Sequence, residues 1–144
     1  MGKIMAAALA LVAGVLVAVG SAMAASSTTP KQYTVKMTGA QEVPKGSPTG
    51  KGTFKYQLVT KNSTLCYSLK WSGISTPFAS HIHAGKKGVA GNVVIPLSAK
   101  APVAQSGCLK VKKSLLLAIQ KKPSNYYVNV HNAKYPAGAL RGQL

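Results

Sequence analysis

Apolar and polar residues alternate along most of the chain after residue 31. A period of two is the pattern of a strand with one face on a core. In Gln32 to Thr38 the apolar set is Tyr33, Val35 and Met37. In Thr53 to Thr60 it is Phe54, Tyr56 and Leu58, with Lys55 and Gln57 opposite. Thr64 to Ser72 sets Leu65, Tyr67, Leu69 and Trp71 against Cys66, Ser68 and Lys70. Asn62-Ser63 joins the last two segments as a turn, which predicts a hairpin. Phe78 to His83, Asn92 to Leu97, Tyr126 to His131 and Ala139 to Leu144 predict further strands, and a less regular stretch holds Cys108. Only Lys112 to Gln120 has helical spacing, through Leu115, Leu116 and Ile119, with Pro123 beyond its end. The sum is about eight strands and one short helix, without an internal repeat. It predicts an all-β fold, an antiparallel Greek-key β-sandwich or barrel.

The first 24 residues break this pattern. Lys3 precedes an almost wholly apolar stretch from Ile4 to Val19, and Ser21-Ala22-Met23-Ala24 ends in an A-x-A pattern. That layout predicts a signal peptide over 1–24, cleaved after Ala24. A retained anchor would need roughly 20 apolar residues, more than this stretch offers. The expected organisation is a signal peptide at 1–24, a polar tether over 25–31 and one domain over 32–144. The domain is expected in the periplasm or secreted, with no membrane span after signal removal. Two cysteines in an exported domain predict one disulfide, Cys66 to Cys108. Closing a loop of that length stabilises a fold by about 4 kcal/mol in the chain-entropy model.

Charge narrows the function. Of 144 residues, 18 are Lys or Arg and one is acidic, Glu42, for a net charge of +17. Removing the first 24 residues takes away Lys3 and leaves +16. One acid excludes a metal site of several carboxylates, a two-carboxylate glycosidase and Asp-held magnesium. A Ser-His-Asp triad would need Glu42 in place of its Asp. The lysines are scattered, no basic run exceeds two, and Arg141 is the single Arg. Base reading uses Arg forks and aromatic platforms within basic stretches, so no specific nucleic-acid partner is predicted. A lysine coat could still hold an anionic cell-surface polymer. The missing acids matter as much as the excess bases. Acid denaturation acts largely through carboxylates that must protonate, and this chain has one. That predicts an exported protein of an acidic environment, such as the periplasm of an acidophile.

The histidines are the candidate chemistry. His81 and His83 are two apart in a predicted strand, so they share a face while Ile82 points into the core. Val128 and Val130 form the core side of a later strand, which sends His131 outward too. If these strands meet, three imidazoles converge. Neutral imidazole suits copper, zinc, iron and nickel, and three protein ligands with an open position is a familiar zinc arrangement. The same pattern also fits ordinary solvent-facing histidines. Glu42 could orient a ligand ring or pair with a Lys or with Arg141. The basic loop Gly85 to Gly91 follows the H-x-H and could rim such a site.

Five ordered motifs carry a resemblance. They are Gly39 to Pro44, Leu65 to Leu69, Ser80-His81-Ile82-His83, Tyr127 to His131 and Gly138 to Leu144. Together they resemble the CHRD domain over about residues 32–144. One departure is Ala139, where the family often has an acidic residue. The resemblance implies an immunoglobulin-like or superoxide-dismutase-like sandwich with no settled enzymatic activity. Copper-zinc superoxide dismutases are similar in carrying an H-x-H on one strand, a Val-His on a later one and a functional Arg near the C-terminus. By that likeness His81, His83 and His131 would be copper ligands and Arg141 a looser parallel. The dismutase's zinc loop has no counterpart here, so one three-His site is all that carries over. Three readings follow: a non-catalytic binding module holding copper or zinc, a copper-dependent redox enzyme, or a Lys-rich adhesion protein that binds polyanions.

Overall fold

A computed structural model describes residues 29–144 and Gly2. Apart from Gly2, the signal-peptide segment lies outside the described residues, as does most of the tether. The strands are β1 (Gln32–Thr38), β2 (Lys51–Val59), β3 (Thr64–Ser72), β4 (Ala79–Ala84), β5 (Val93–Ser98), β6 (Ser106–Lys110), β7 (Tyr126–Asn132) and β8 (Tyr135–Gln143). One helix, α1, covers Lys113–Lys121. All strand pairs are antiparallel, in the order β5-β4-β7-β8-β1-β2-β3-β6. The eight strands form a nearly closed barrel, so the expected all-β sandwich or barrel is the observed fold. The chain jumps from β3 to β4, from β5 to β6 and from β6 to β7, which is the non-sequential order of Greek-key folds.

Alternation decides which residues reach the core. Val35 and Met37, Phe54 and Tyr56, then Leu65, Tyr67 and Leu69 are buried from three consecutive strands. From the other half of the sheet come Ile82, Ile95, Leu97, Val128, Val130 and Leu140. The predicted hairpin is β2–β3, in register from Lys51↔Ser72 to Val59↔Thr64. A short 3-10 turn leads to Ser63, whose φ of 55° is the left-handed conformation that closes it. Helix α1 buries Leu116 and Ile119 against the barrel. Its bounds, Lys113–Lys121, agree with the predicted Lys112 to Gln120 to one residue at each end. Truncating one such fully buried side chain to Ala typically costs 2–5 kcal/mol, so this small core is the main source of stability.

Two elements differ from expectation. β8 starts at Tyr135, four residues earlier than predicted, because Pro136 and Gly138 interrupt the alternation without ending the strand. The irregular stretch around Cys108 is β6, a short strand paired only to β3. Cys66 and Cys108 are direct cross-strand partners there and form a disulfide. Among the described residues no helix is long and apolar enough to cross a membrane.

Candidate metal centre

β4 and β7 are neighbours in the sheet, with Ala79↔His131, His81↔Asn129 and His83↔Tyr127 opposite one another. β8 continues two of these rows through Asn129↔Arg141 and Tyr127↔Gln143. Odd-numbered positions of all three strands therefore share one face, while Ile82, Val128 and Val130 fill the core behind it. The face carries His81, His83, Tyr127, Asn129, His131, Arg141 and Gln143. The predicted convergence of the three histidines is present. One ring nitrogen from each lies within 4.8 Å of the others. Points that close share a centre within about 2.8 Å of each, against a zinc–nitrogen bond of about 2.0–2.1 Å.

Backbone carbonyls fix two of the rings. His83 Nδ1 lies 2.8 Å from the Gly91 carbonyl oxygen, and His131 Nδ1 lies 3.0 Å from that of Pro136. A carbonyl only accepts, so both Nδ1 atoms carry hydrogen and both Nε2 lone pairs face the cluster when the rings are neutral. The third ring meets His83 edge on and is tilted against His131, with His81 Nδ1 3.1 Å from His131 Nε2. Its N–H donates to that lone pair, and a metal ion would take the place of this proton. Burial and the neighbouring imidazoles hold the His81 ring down at about 4, and burial also lowers His131. Neutral rings with fixed tautomers and carbonyl partners are what a metal-ligating histidine set requires. His83 and His131 are each 8% exposed, and His81 is the half-buried member that opens to solvent.

The sequence motifs supply the surroundings. His83 stacks on Tyr127 with ring centres 4.7 Å apart. The other face of the site is Asn129, whose amide oxygen is 3.0 Å from His83 Nε2 and 3.1 Å from His131 Nε2. Its amide can serve either state of the rings. The oxygen accepts from protonated imidazoles, and the NH2, turned inward, donates to neutral ones. From the sequence alone neither Asn129 nor Tyr127 has a role at the site. The parity that placed His131 on this face places both of them there as well.

Arg141 and Glu42 lie behind this layer. Arg141 is 1% exposed, and its guanidinium carbon sits 3.4 Å from the Tyr127 ring centre. Its terminal nitrogens donate to the carbonyl oxygens of Val89 (2.9 Å) and Lys86 (2.8 Å) and to Gln143 Oε1 (3.2 Å). The loop Gly85 to Gly91 is thus strapped onto the face by Arg141, and the same loop supplies the Gly91 carbonyl that orients His83. Glu42 is 5% exposed, and its Oε1 has no hydrogen-bond partner. Burial raises its carboxyl to about 7, against the opposing pull of Arg141, the Asn129 side chain and the Val43 amide. The carboxyl lies over Gly138, where a Cβ would collide with it and where φ is 144°. Position 138 therefore admits only glycine while Glu42 is in place.

The fold and the site define a small all-β domain with a histidine cluster on the outer face of one half of its sheet. The model of the CHRD domain matches residues 33–144, and the chain belongs to that family. No curated protein and no solved structure matches it.

Proposed function

We propose that this is an exported, non-catalytic binding module that holds one transition-metal ion, copper in preference to zinc, on His81, His83 and His131. The observation that carries the reading is the pair of backbone-fixed rings whose free nitrogens face a third imidazole within 4.8 Å. Copper is favoured because an imidazole set without thiolates follows the general order in which Cu(II) binds more tightly than its neighbours. The disulfide is in keeping with export, since such bonds persist in oxidising compartments. The signal-peptide reading of residues 1–24 supplies the route. Arg141 speaks for binding rather than dismutase-like catalysis. It is buried and bonded to loop carbonyls, so it is not placed to draw an anion to the metal.

Calorimetric titration of the purified chain with Cu(II) and Zn(II) at pH 7 tests this reading. One ion per chain is expected, with copper tighter. His131→Ala should weaken binding by about tenfold or more, as loss of one ligand in three requires. Uptake of neither metal would end the reading. Copper uptake with superoxide turnover above that of free copper would replace it with the enzyme.

The near-absence of carboxylates supports a further part of the proposal, that the protein works at acidic pH. The expected melting temperature is nearly level from pH 7 to pH 4, because the one carboxyl, Glu42, gains stability on protonation there while His81 and His131 lose it, and no other side-chain carboxylate titrates. A melting temperature that collapses below pH 4 would contradict it.

A further inference from the structure

The sheet register sorts the lysines in a way that their spacing along the chain conceals. β1, β2, β3 and β6 contain Lys36, Lys51, Lys55, Lys70 and Lys110, whereas β4, β5, β7 and β8 contain no lysine. All five are exposed. Lys36, Lys51, Lys55 and Lys70 have the parity opposite to the buried residues of their strands, and Lys110 the parity opposite to the half-buried Leu109, so all five share the outer face of that half of the barrel. Lys110 is engaged, donating to the Asn62 carbonyl at 2.8 Å. The other four surround Thr53. Lys36 and Lys70 are its cross-strand partners on either side, and Lys51 and Lys55 are two residues before and after it on β2. With strands about 4.8 Å apart and a rise of about 3.4 Å per residue, the four stems start about 5–7 Å from Thr53.

This cluster has a cavity and no counter-charge. A depression of about 400 Å³ is lined by Lys36, Lys51 and Lys70 with Thr38, Thr53 and Ser72, and by the row between them, Met37–Gly52–Trp71. The chain's one acid, Glu42, is buried against Asn129 and Arg141 on the histidine side. Four close cations with nothing opposite them generate a local positive field that a multivalent anion would satisfy. The rows around Thr53 are Thr38–Lys51–Ser72, Lys36–Thr53–Lys70 and Thr34–Lys55–Ser68. They interleave hydroxyls with the ammonium groups. These outward-facing rows contain no aromatic side chain or Arg on which a base could stack and no apolar side chain to enter a bilayer; Met37 and Trp71 belong to the intervening row, which has the parity of the core.

We propose that this lysine–hydroxyl face docks an acidic polysaccharide, its anionic groups on Lys36, Lys51, Lys55 and Lys70 and its sugar hydroxyls on the Thr and Ser between them. The proposal is independent of the metal centre, which lies on the other half of the sheet.

The test is binding of the full chain to polygalacturonate at physiological salt, measured by calorimetry. Changing Lys36, Lys51, Lys55 and Lys70 to Gln should weaken binding by about tenfold or more, since each contributes a charge contact. The charge-matched control changes the exposed Lys100, Lys113, Lys121 and Lys122 to Gln and should weaken it by less than about threefold. Thr53→Val should weaken binding measurably without altering net charge, and His131→Ala should leave it unchanged. Melting curves confirm that each variant is folded. Equal losses in the two quadruple variants would overturn the proposal in favour of net charge alone. Tighter binding to anionic phospholipid vesicles or to single-stranded DNA than to polygalacturonate would overturn it in favour of a different partner.

Discussion

Replacing Cys66 and Cys108 together by Ser is expected to lower the stability of the oxidised protein by about 4 kcal/mol. The two residues are 42 apart in sequence, and the bond between them removes the corresponding loop-closure freedom from the unfolded chain. The structure adds a reason for the loss to reach the metal centre. β6 is an edge strand held only by β3, and the disulfide is its covalent tie. The closed loop contains β4 and β5, and so His81, His83 and the Gly91 carbonyl that orients His83. Urea unfolding of the oxidised chain, the reduced chain and the double Ser variant gives the comparison. The last two should agree with each other and fall below the first. A variant as stable as the oxidised protein would mean that β6 is held by its ladder alone. The double Ser variant, which adds no thiol ligands, should also take up copper more weakly, because the loop that carries two ligands is no longer closed.

Much of this molecule was legible because period-two alternation is a direct consequence of strand geometry. Val35, Phe54, Leu65, Ile82 and Val128 reach the core where the alternation puts them. The shared face of His81 and His83 followed from the same count. What alternation cannot supply is which strands are neighbours. β4 and β7 are brought together by two long crossings of the barrel, and nothing local in Ser80 to His83 points to Tyr127. The lysines illustrate the same limit. They look dispersed along the chain, yet pairing gathers every strand lysine on one half of the sheet. β8 was misjudged at its start because a Pro and a positive-φ Gly ordinarily mark a break. Here the glycine is required by the Glu42 carboxyl above it, a contact made by a segment almost a hundred residues earlier. Asn129 was overlooked for a chemical reason. An amide neither titrates nor heads a known motif, although its parity matched that of His131.

Glu42→Gln is expected to leave stability nearly unchanged at pH 4 and to raise it by about 3 kcal/mol at pH 8. The carboxyl is buried, its Oε1 is unpartnered, and its native value is about 7 against 4.5 in the unfolded chain. That gap, at about 1.4 kcal/mol per pH unit, sets the magnitude. The sign follows from the direction. A native value above the unfolded one means that the folded state holds the proton more tightly, so the contribution is fully present below about pH 4.5. It is lost as pH rises through about 7. Arg141, Asn129 and the Val43 amide face the carboxyl and reduce the penalty without cancelling it. Gln keeps the shape over Gly138 and never acquires the charge. His81 and His131 run the other way, since burial lowers their values and stability falls as pH drops below 6.5. The two trends overlap between about pH 4.5 and 6.5 and oppose each other there, which keeps the wild-type profile level. Subtracting the wild-type urea-unfolding free energy from that of the variant at pH 4, 6 and 8 removes the histidine contribution and isolates Glu42. A difference that does not change with pH would show that the carboxyl is not buried as described. A variant less stable at pH 8 would show that the ion pair with Arg141 outweighs desolvation. If the difference grows with pH as expected, the lone acid of this chain is a group that acidic surroundings keep neutral, and it sits where a charged carboxylate would be most costly to the fold.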